Sequence, residues 1–405
     1  DTKDINCLLV SAFLAINKID NINNKFIKNY IIHEDTELEQ LKEFLKILNK
    51  ETIDIEDLIE FFEFVISPED KEVNGAVFTP EYIRKYIVEK SLKSQENKNI
   101  NSLIFGDIAC GCGGFFKTIT EFLKAKTNKS YFEIYKDNIF GLDIQDYSVT
   151  RTKILLCLLA IINNEDCEEF QFNLFQENAL SFDWNNVEKI KKNNGFDIIV
   201  GNPPYVGASK IDKETKSLLK NWSVSKSGKS DLYIPFFEIA LENLNNDGVL
   251  GYITVNTFYK SLNGRSVRNY FSRNKFDLTI IDFRGEQLFK NRSTYTCICF
   301  ISKIESDSIK YVKSKSYEIN SIKKSNFISI LYSDLNDFDG WFLIDKQTKK
   351  IIHKIESTGK KLGAKFEIRN GFATLKNNIY VFSPTRETKD FYFFTKDKQE
   401  YKIEK

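Results

Sequence analysis

The tetrapeptide Asn202-Pro203-Pro204-Tyr205 follows directly on the apolar run Asp197–Gly201. Two consecutive prolines remove two backbone donors and hold the chain extended, which leaves backbone carbonyls aimed outward. An Asn side-chain oxygen beside such a carbonyl makes a pair of acceptors suited to an NH2 group, and Tyr205 offers a flat face to a planar substrate. Upstream, Asp107-Ile108-Ala109-Cys110-Gly111-Cys112-Gly113-Gly114-Phe115 joins a short apolar run to a helical one. Glycines there permit a tight turn and close approach of a ligand to the backbone, and the helix that follows presents free N–H groups. Their spacing does not fit G-x-G-x-x-G with an acid about 20 residues on, which disfavours NAD. Asp143, in Gly141-Leu142-Asp143-Ile144, ends the next apolar run 36 residues after Asp107. A carboxylate at that place accepts hydrogen bonds from both hydroxyls of a nucleoside ribose, and Ile144 can pack on the base. A glycine-rich turn and a strand-end acid are common structural features on their own. The tetrapeptide is the strongest signal, because it falls beyond the carboxyl end of a strand, where open α/β sheets bind ligands.

The elements that must hold these residues are legible in the periodicity. Ser102–Asp107, Ile139–Ile144, Asp197–Gly201 and Val249–Val255 read as strands, and Phe115–Ala125, Val149–Ile162 and Leu232–Leu244 as helices. That alternation predicts an α/β fold with a doubly wound, Rossmann-like parallel sheet. Asn246-Asp247-Gly248 is a turn signal, and Leu278–Phe283 with Thr294–Ile301 reads as an antiparallel hairpin closing the sheet. From Cys7 to Ile66 apolar residues recur at three- and four-residue steps, predicting an N-terminal helical region over residues 1–70. The expected organisation continues with a catalytic domain over 71–302, a Lys- and Ser-rich connector over 303–365, and the start of a further domain over 366–405.

Composition bounds the rest. The 405 residues are 42% hydrophobic and 28% charged, near globular averages. The formal charge is only +1, so contact with a polyanion must come from local clusters. Residues 1–72 hold 17 Asp and Glu against 8 Lys, whereas 206–230 hold 6 Lys against 2 acids, which points a polyanion to the middle of the chain. Seven cysteines with no secretory segment fit a reducing, cytoplasmic setting. No apolar run is long enough to span a membrane, and with two histidines and no Cys/His set at zinc spacing no metal site is expected. A sequence without a single Met reads either as part of a longer protein or as one from which residues have been left out of the numbering.

Taken together, these motifs resemble the gamma-class N6-adenine DNA methyltransferases of bacterial restriction-modification systems, including Type IIG-like enzymes. The family's F-T-P element is matched by Phe78-Thr79-Pro80, its glycine-rich S-adenosylmethionine motif by Asp107–Phe116, its ribose acid by Asp143 and its N-P-P-Y motif by Asn202–Tyr205. The resemblance covers roughly residues 70–300, with the four elements in the family's order. It continues more weakly through Ile368–Thr374, similar to the opening of the family's target-recognition domain. It implies S-adenosylmethionine as cofactor and double-stranded DNA as partner, with the target base flipped out of the duplex. Phe78, Thr79, Pro80, Asp107, Ala109, Cys110, Gly111, Gly113, Asp143, Ile144, Asn178 and Ala179 are then the expected cofactor-binding residues. Asn178 stands where many relatives have Asp. The expected catalytic residues are Asn202, Pro203, Pro204 and Tyr205, with Phe289 on the opposite face of the base and Lys210 and Lys213 near the DNA.

Two other classes fit part of the pattern. A release-factor-type protein glutamine N5-methyltransferase also joins a helical N-terminus to N-P-P-Y, but 200 residues follow Tyr205 here. A catalytically silent DNA-recognition subunit is disfavoured by the intact Asn202 and Asp143. Residues 1–70 hold no convincing P-D…(D/E)-x-K nuclease motif, so a nuclease domain or subunit is expected, if anywhere, outside this chain.

Overall fold

A computed structural model describes residues 2–67, 75, 78–289, 295–367, 383–396 and 399–405. The chain divides into two compact units, Asp1–Asp345 and Lys346–Lys405.

In the first unit a nine-stranded sheet has the order β3-β2-β1-β4-β5-β7-β6-β8-β9. Its strands are β1 (Phe105–Asp107), β2 (Ile139–Asp143), β3 (Asn173–Gln176), β4 (Phe196–Gly201), β5 (Leu244–Val255), β6 (Phe276–Asp282), β7 (Thr296–Glu305), β8 (Ser308–Lys313) and β9 (Ile328–Leu331). β1 pairs in parallel with both β2 and β4, and β4 in parallel with β5. β7 enters antiparallel between β5 and β6, so the hairpin expected from the sequence is present, with its second strand on the inside. The strand expected from Ser102 begins only at Phe105, because Ile100–Ser102 form a 3-10 turn capped by Asn99.

Two elements differ from expectation. Asn246-Asp247-Gly248 lies within β5: Phe196 pairs with Leu244 and Ile198 with Val249, so the intervening residues bulge out of the ladder. The stretch expected to be a connector after residue 302 instead carries the end of β7 and all of β8 and β9, and buries Trp341 and Leu343. The first unit therefore runs on to Asp345.

Helices α1 to α4 (Thr2–Ile16, Lys25–Lys28, Asp35–Leu48 and Ile55–Phe64) form the N-terminal region. They are followed by α5 (Glu81–Lys93), α6 (Gly114–Lys126), α7 (Tyr131–Asp137), α8 (Asp146–Ile162), α9 (Glu188–Lys192), α10 (Lys213–Leu219), α11 (Tyr233–Asn243) and α12 (Arg265–Asn274). α8 is apolar nearly all round, as a helix must be when it is covered on opposite sides. The sheet lies on one side, and Leu9, Val10, Phe13, Leu58 and Phe62 of the N-terminal helices join the same hydrophobic cluster. Arg151, buried in α8, bonds Asn6 Oδ1 (3.1 Å) and the Phe62 carbonyl (3.0 Å), so polar contacts fix the same interface.

The second unit contains α13 (Lys346–Glu356) and an antiparallel sheet of β10 (Arg386–Glu387), β11 (Phe391–Lys396) and β12 (Gln399–Glu404). The Ile368–Thr374 motif lies outside the described residues.

Arg84 of α5 ties three segments together. Its Nε donates to the Thr79 carbonyl (3.0 Å), one terminal nitrogen to the Gly114 carbonyl at the start of α6, and the other pairs with Glu56 of α4. The side chain is 1% exposed. Arg84→Ala should lower unfolding stability by about 3 kcal/mol, the lower end for a broken buried pair, because Lys117 remains 2.9 Å from Glu56. The shift in urea midpoint of the purified protein measures it.

Candidate active site

The strand order reverses between β1 and β4, and a crevice opens outside the carboxyl ends of strands at such a point. A cavity of about 260 Å³ lies there, lined by residues from the ends of β1, β2 and β4 and from the turn after β3.

After β1 the chain makes the glycine turn. The Cys110 N–H bonds the Leu142 carbonyl (3.0 Å), and the Gly113 N–H bonds the Cys110 carbonyl (3.0 Å). Gly113 has φ +84°, and a Cβ there would stand 2.8 Å from Thr152 Cγ2. Only glycine meets both conditions. Thr152 Oγ1 in turn donates to the Gly111 carbonyl (2.9 Å). Asp107 lies at the bottom of the turn, 2% exposed, with Oδ1 accepting from the Ala109 N–H (3.1 Å). Burial pushes its pKa up to about 8, the Ala109 bond opposing and the neighbouring Asp143 charge adding to the rise.

Asp143 ends β2 with one carboxylate oxygen on the Gly111 N–H and the other on the Gln145 N–H, both at 2.9 Å. Burial raises its pKa, and these two bonds with one from Ser148 restrain the rise. With the Ser148 bond counted, the carboxylate keeps one lone pair for a further hydroxyl donor. Ile144, 54% exposed, stands beside it on the cavity wall. Asn178 and Ala179 line the cavity after β3, and Asn178 Oδ1 accepts from the Leu180 N–H (3.0 Å). The Asn178 amide nitrogen is thus the donor end, where an Asp would carry a second acceptor.

The tetrapeptide begins where β4 ends. Asn202 Nδ2 donates to Thr79 Oγ1 (3.0 Å), which fixes the carboxamide so that Oδ1 is its acceptor end. The Tyr205 N–H bonds the Gly75 carbonyl (3.2 Å). Gly75 has φ +66°, and a Cβ on it would come within 2.5 Å of the Tyr205 nitrogen. Tyr205 is 9% exposed and meets Phe289 with ring centroids 6.0 Å apart at 59°. The two aromatic residues expected to flank a planar substrate are therefore together, but in contact with each other, and a ring entering between them must part them.

Phe78, Thr79, Asp107, Ala109, Cys110, Gly111, Asp143, Ile144, Asn178, Ala179, Asn202, Pro204 and Lys210 all line the one cavity. Pro80, Gly113, Pro203, Tyr205, Phe289 and Lys213 do not. Pro80 caps the start of α5, Gly113 shapes the turn, and buried Pro203 backs Asn202. Lys213 is exposed in the first turn of α10 with Lys216 and Lys220 further along it, while Lys210 belongs to the segment over the cavity.

Sequence reasoning missed Arg84 and the contribution of the N-terminal helices. Ile59 and Glu63 of α4, with Ile66 after it, form part of the cavity wall. A signal for Arg84 was present, since it lies in register with Ile87, Val88 and Ser91 on the buried stripe of α5. No group of three or more His, Cys, Asp and Glu that could hold a metal occurs among the described residues.

Comparison with known proteins agrees with this geometry. Residues 137–289 match the family described as Eco57I restriction-modification methylase. The chain is 28% identical over 398 residues to the Type II restriction enzyme and methyltransferase RM.Eco57I of Escherichia coli, covering 84% of this chain and 39% of that protein. It is 25% identical over 233 residues to the Type II methyltransferase M.BstVI of Geobacillus stearothermophilus, covering 52% and 41%. The chain thus spans about two-fifths of the length of these relatives. Among solved structures, the fold is similar to that of a DrdV–DNA complex (TM-score 0.64, 15% identity, 85% of this chain and 41% of that one). It is also similar to the type IIG restriction endonuclease BpuSI (TM-score 0.59, 15% identity, 88% and 45%). The sheet order, the cavity and the motifs are in keeping with this likeness of residues 137–289 to the restriction-modification methylases.

Proposed function

We propose that this chain is the catalytic part of a site-specific DNA methyltransferase that moves a methyl group from S-adenosylmethionine to adenine N6 of a base turned out of the duplex. The observation that carries this reading is that Asn202, held by Thr79, shares one cavity with Asp107, the glycine turn and Asp143. Similar proteins support the partner and the setting: the DrdV structure is of a complex with DNA, and RM.Eco57I is both restriction enzyme and methyltransferase. A nuclease in the complete protein or a partner subunit, action in the cytoplasm, and a target-recognition role for the unit beginning at Lys346 belong to the same proposal.

The residues fit the cofactor. Asp143 suits a ribose hydroxyl, Ile144 and Phe78 supply apolar surface, and the Asn178 amide can donate to a ring nitrogen of the adenine. Asp107 is a buried acid beside the glycine turn, suited to a cationic ligand. When bound, S-adenosylmethionine supplies an electrophilic methyl group on a sulfonium sulfur.

Everything else falls to the protein. An adenine amine is a weak nucleophile because its lone pair delocalises into the ring. Accepting its hydrogens at Asn202 Oδ1 and the Pro203 carbonyl favours the pyramidal, reactive form, and Thr79 keeps the Asn202 amide from turning over. Positioning and preorganised acceptors then do most of the work. Extruding the base costs a few kcal/mol, and stacking on Tyr205 returns part of it once Phe289 has moved aside.

Incubating the complete protein with genomic DNA and labelled cofactor, then digesting to nucleosides, tests the reading. N6-methyladenine is expected; N4-methylcytosine, or label only in protein, overturns it.

Asn202→Ala should lower kcat by at least ~100-fold, the scale for loss of one preorganised polar contact, with cofactor affinity nearly unchanged. Calorimetric cofactor titration beside single-turnover kinetics reads both, and equal loss of cofactor binding would remove Asn202 from the target side.

The raised pKa of Asp107 makes cofactor binding depend on pH. The free carboxyl is protonated below about 8, and a cation bound beside it favours the carboxylate, so binding releases a proton. Affinity should therefore strengthen as pH rises toward about 8 and level off above it. Calorimetry in buffers of different ionisation heat counts the proton, and Asp107→Asn should abolish its release.

A further inference from the structure

Outside the cavity, a second concavity of about 710 Å³ runs between residues 223–227 and α12. Its cationic lining is Lys226, Arg265 and Arg273, with Asn269 exposed between the two arginines and Asp337 as the single acid. Cations elsewhere in the first unit are commonly paired, as in Lys98 with Asp197, Lys117 with Glu56, Glu81 and Glu121, and Lys124 with Glu165. In the groove they are not. Neither Lys226 nor Arg273 has a side-chain hydrogen bond or ion pair among the described residues, and both are exposed. Arg265 donates through Nε to the Phe338 carbonyl (2.7 Å), with its guanidinium carbon 3.6 Å from the centroid of the Phe338 ring. The head is held flat, and its two terminal nitrogens bond no described residue. Asp337 is already engaged, its Oδ1 accepting from Ser272 Oγ (2.8 Å) and Trp341 Nε1 (2.7 Å).

The walls of the groove are stitched together. Ser227 Oγ accepts from the Ser266 N–H (3.0 Å), and the Lys229 N–H bonds Asn263 Oδ1 (3.3 Å). One wall belongs to the segment leaving β4 after Asn202, and the other to the segment leaving the carboxyl end of β5, the parallel neighbour of β4. The groove therefore starts from the edge of the sheet that presents the tetrapeptide and follows α12 away from it. Arg265 and Arg273 are eight helical residues apart, about 12 Å at 1.5 Å per residue. One DNA strand carries a charge every ~3.4 Å of helix axis, so this length spans about four phosphates.

The geometry points to this groove as a docking track for the sugar-phosphate backbone of duplex DNA beside the extruded base. The inference rests on the methyltransferase reading above and adds to it the surface that holds the flank of the substrate. Lys226 and Arg273 contact phosphates, and Arg265, immobilised on Phe338, presents its fork to another.

The test uses the complete protein, a 30-base-pair duplex and fluorescence anisotropy over a range of salt. Lys226→Gln/Arg273→Gln alters two exposed side chains without a bond to lose. The double variant should bind the duplex about tenfold more weakly at low salt, with the salt slope reduced by about 1 to 2, while cofactor affinity and Tm stay as in the unaltered protein. The charge reversal Lys226→Glu/Arg273→Glu should weaken binding further.

If the unaltered protein binds and methylates DNA and both variants keep its affinity and slope, the groove proposal falls alone. Binding with the expected change in slope but no methyl transfer leaves the groove standing and overturns the methyltransferase reading. Failure of the unaltered protein to bind duplex DNA overturns both. Pyrophosphate binding that disappears in the variants while the DNA slope is unchanged would make the groove a small-phosphate site and sink the proposal.

Discussion

Everything at the site depends on β1 and β4 lying side by side in parallel while their connections lead in opposite directions along the sheet. Right-handed crossovers place the helices that follow on opposite faces, so no connection covers the ends of these two strands. The glycine turn and the N-P-P-Y tetrapeptide are the first residues beyond those ends. They become neighbours although almost a hundred residues separate them in the chain. A different strand order with the same motifs would have left them apart.

Adjacency alone does not make the two halves one device. The Phe78-Thr79-Pro80 segment joins them through two groups of a single residue: the Thr79 hydroxyl holds Asn202, and the Thr79 carbonyl is held by Arg84. Arg84 also bonds the first carbonyl of α6 and pairs with Glu56 of α4. Asn202, the glycine turn and the N-terminal helices are thus fixed to one buried guanidinium, whose planar fork suits three partners at once. This gives the N-terminal region a physical reason to belong to the first compact unit, beyond its apolar contact with α8.

The parts of this arrangement that were legible in the sequence are those written in local pattern. Apolar runs ending in Asp107, Asp143 and Gly201 marked strands β1, β2 and β4, and residues at or just after the end of each run line the one cavity. Strand β3 escaped notice because it is a four-residue, partly exposed edge without alternation. β8 and β9 were hidden because Lys and Ser on their exposed sides make the stretch resemble a linker, although Ile309, Tyr311 and Ile330 are buried. The Asn246-Asp247-Gly248 signal marked a real break in the backbone ladder, but one accommodated as a bulge within β5. Contacts such as Arg84 with Glu56 and Asn202 with Thr79 join residues far apart in the chain, and spacing carries no information about them.

Charge shows the same separation of local from global. A formal charge of +1 conceals two surfaces of opposite character in one compact unit. The cavity has Glu63, Asp107, Asp143 and Asp212 in its lining against Arg84 and Lys210, whereas the groove along α12 holds Lys226, Arg265 and Arg273 against Asp337. Under the proposed function a methyl donor bearing a sulfonium and an ammonium would be drawn to the first, and a polyphosphate backbone to the second. Near-zero net charge is a condition for this sorting to remain local, because an excess of either sign would spread a field over both sites. The acidic N-terminal helices contribute Glu63 of α4 to the cavity, and the lysines of residues 206–230 run along the chain from Lys210 in the cavity wall to Lys226 in the groove and Lys229 beyond it.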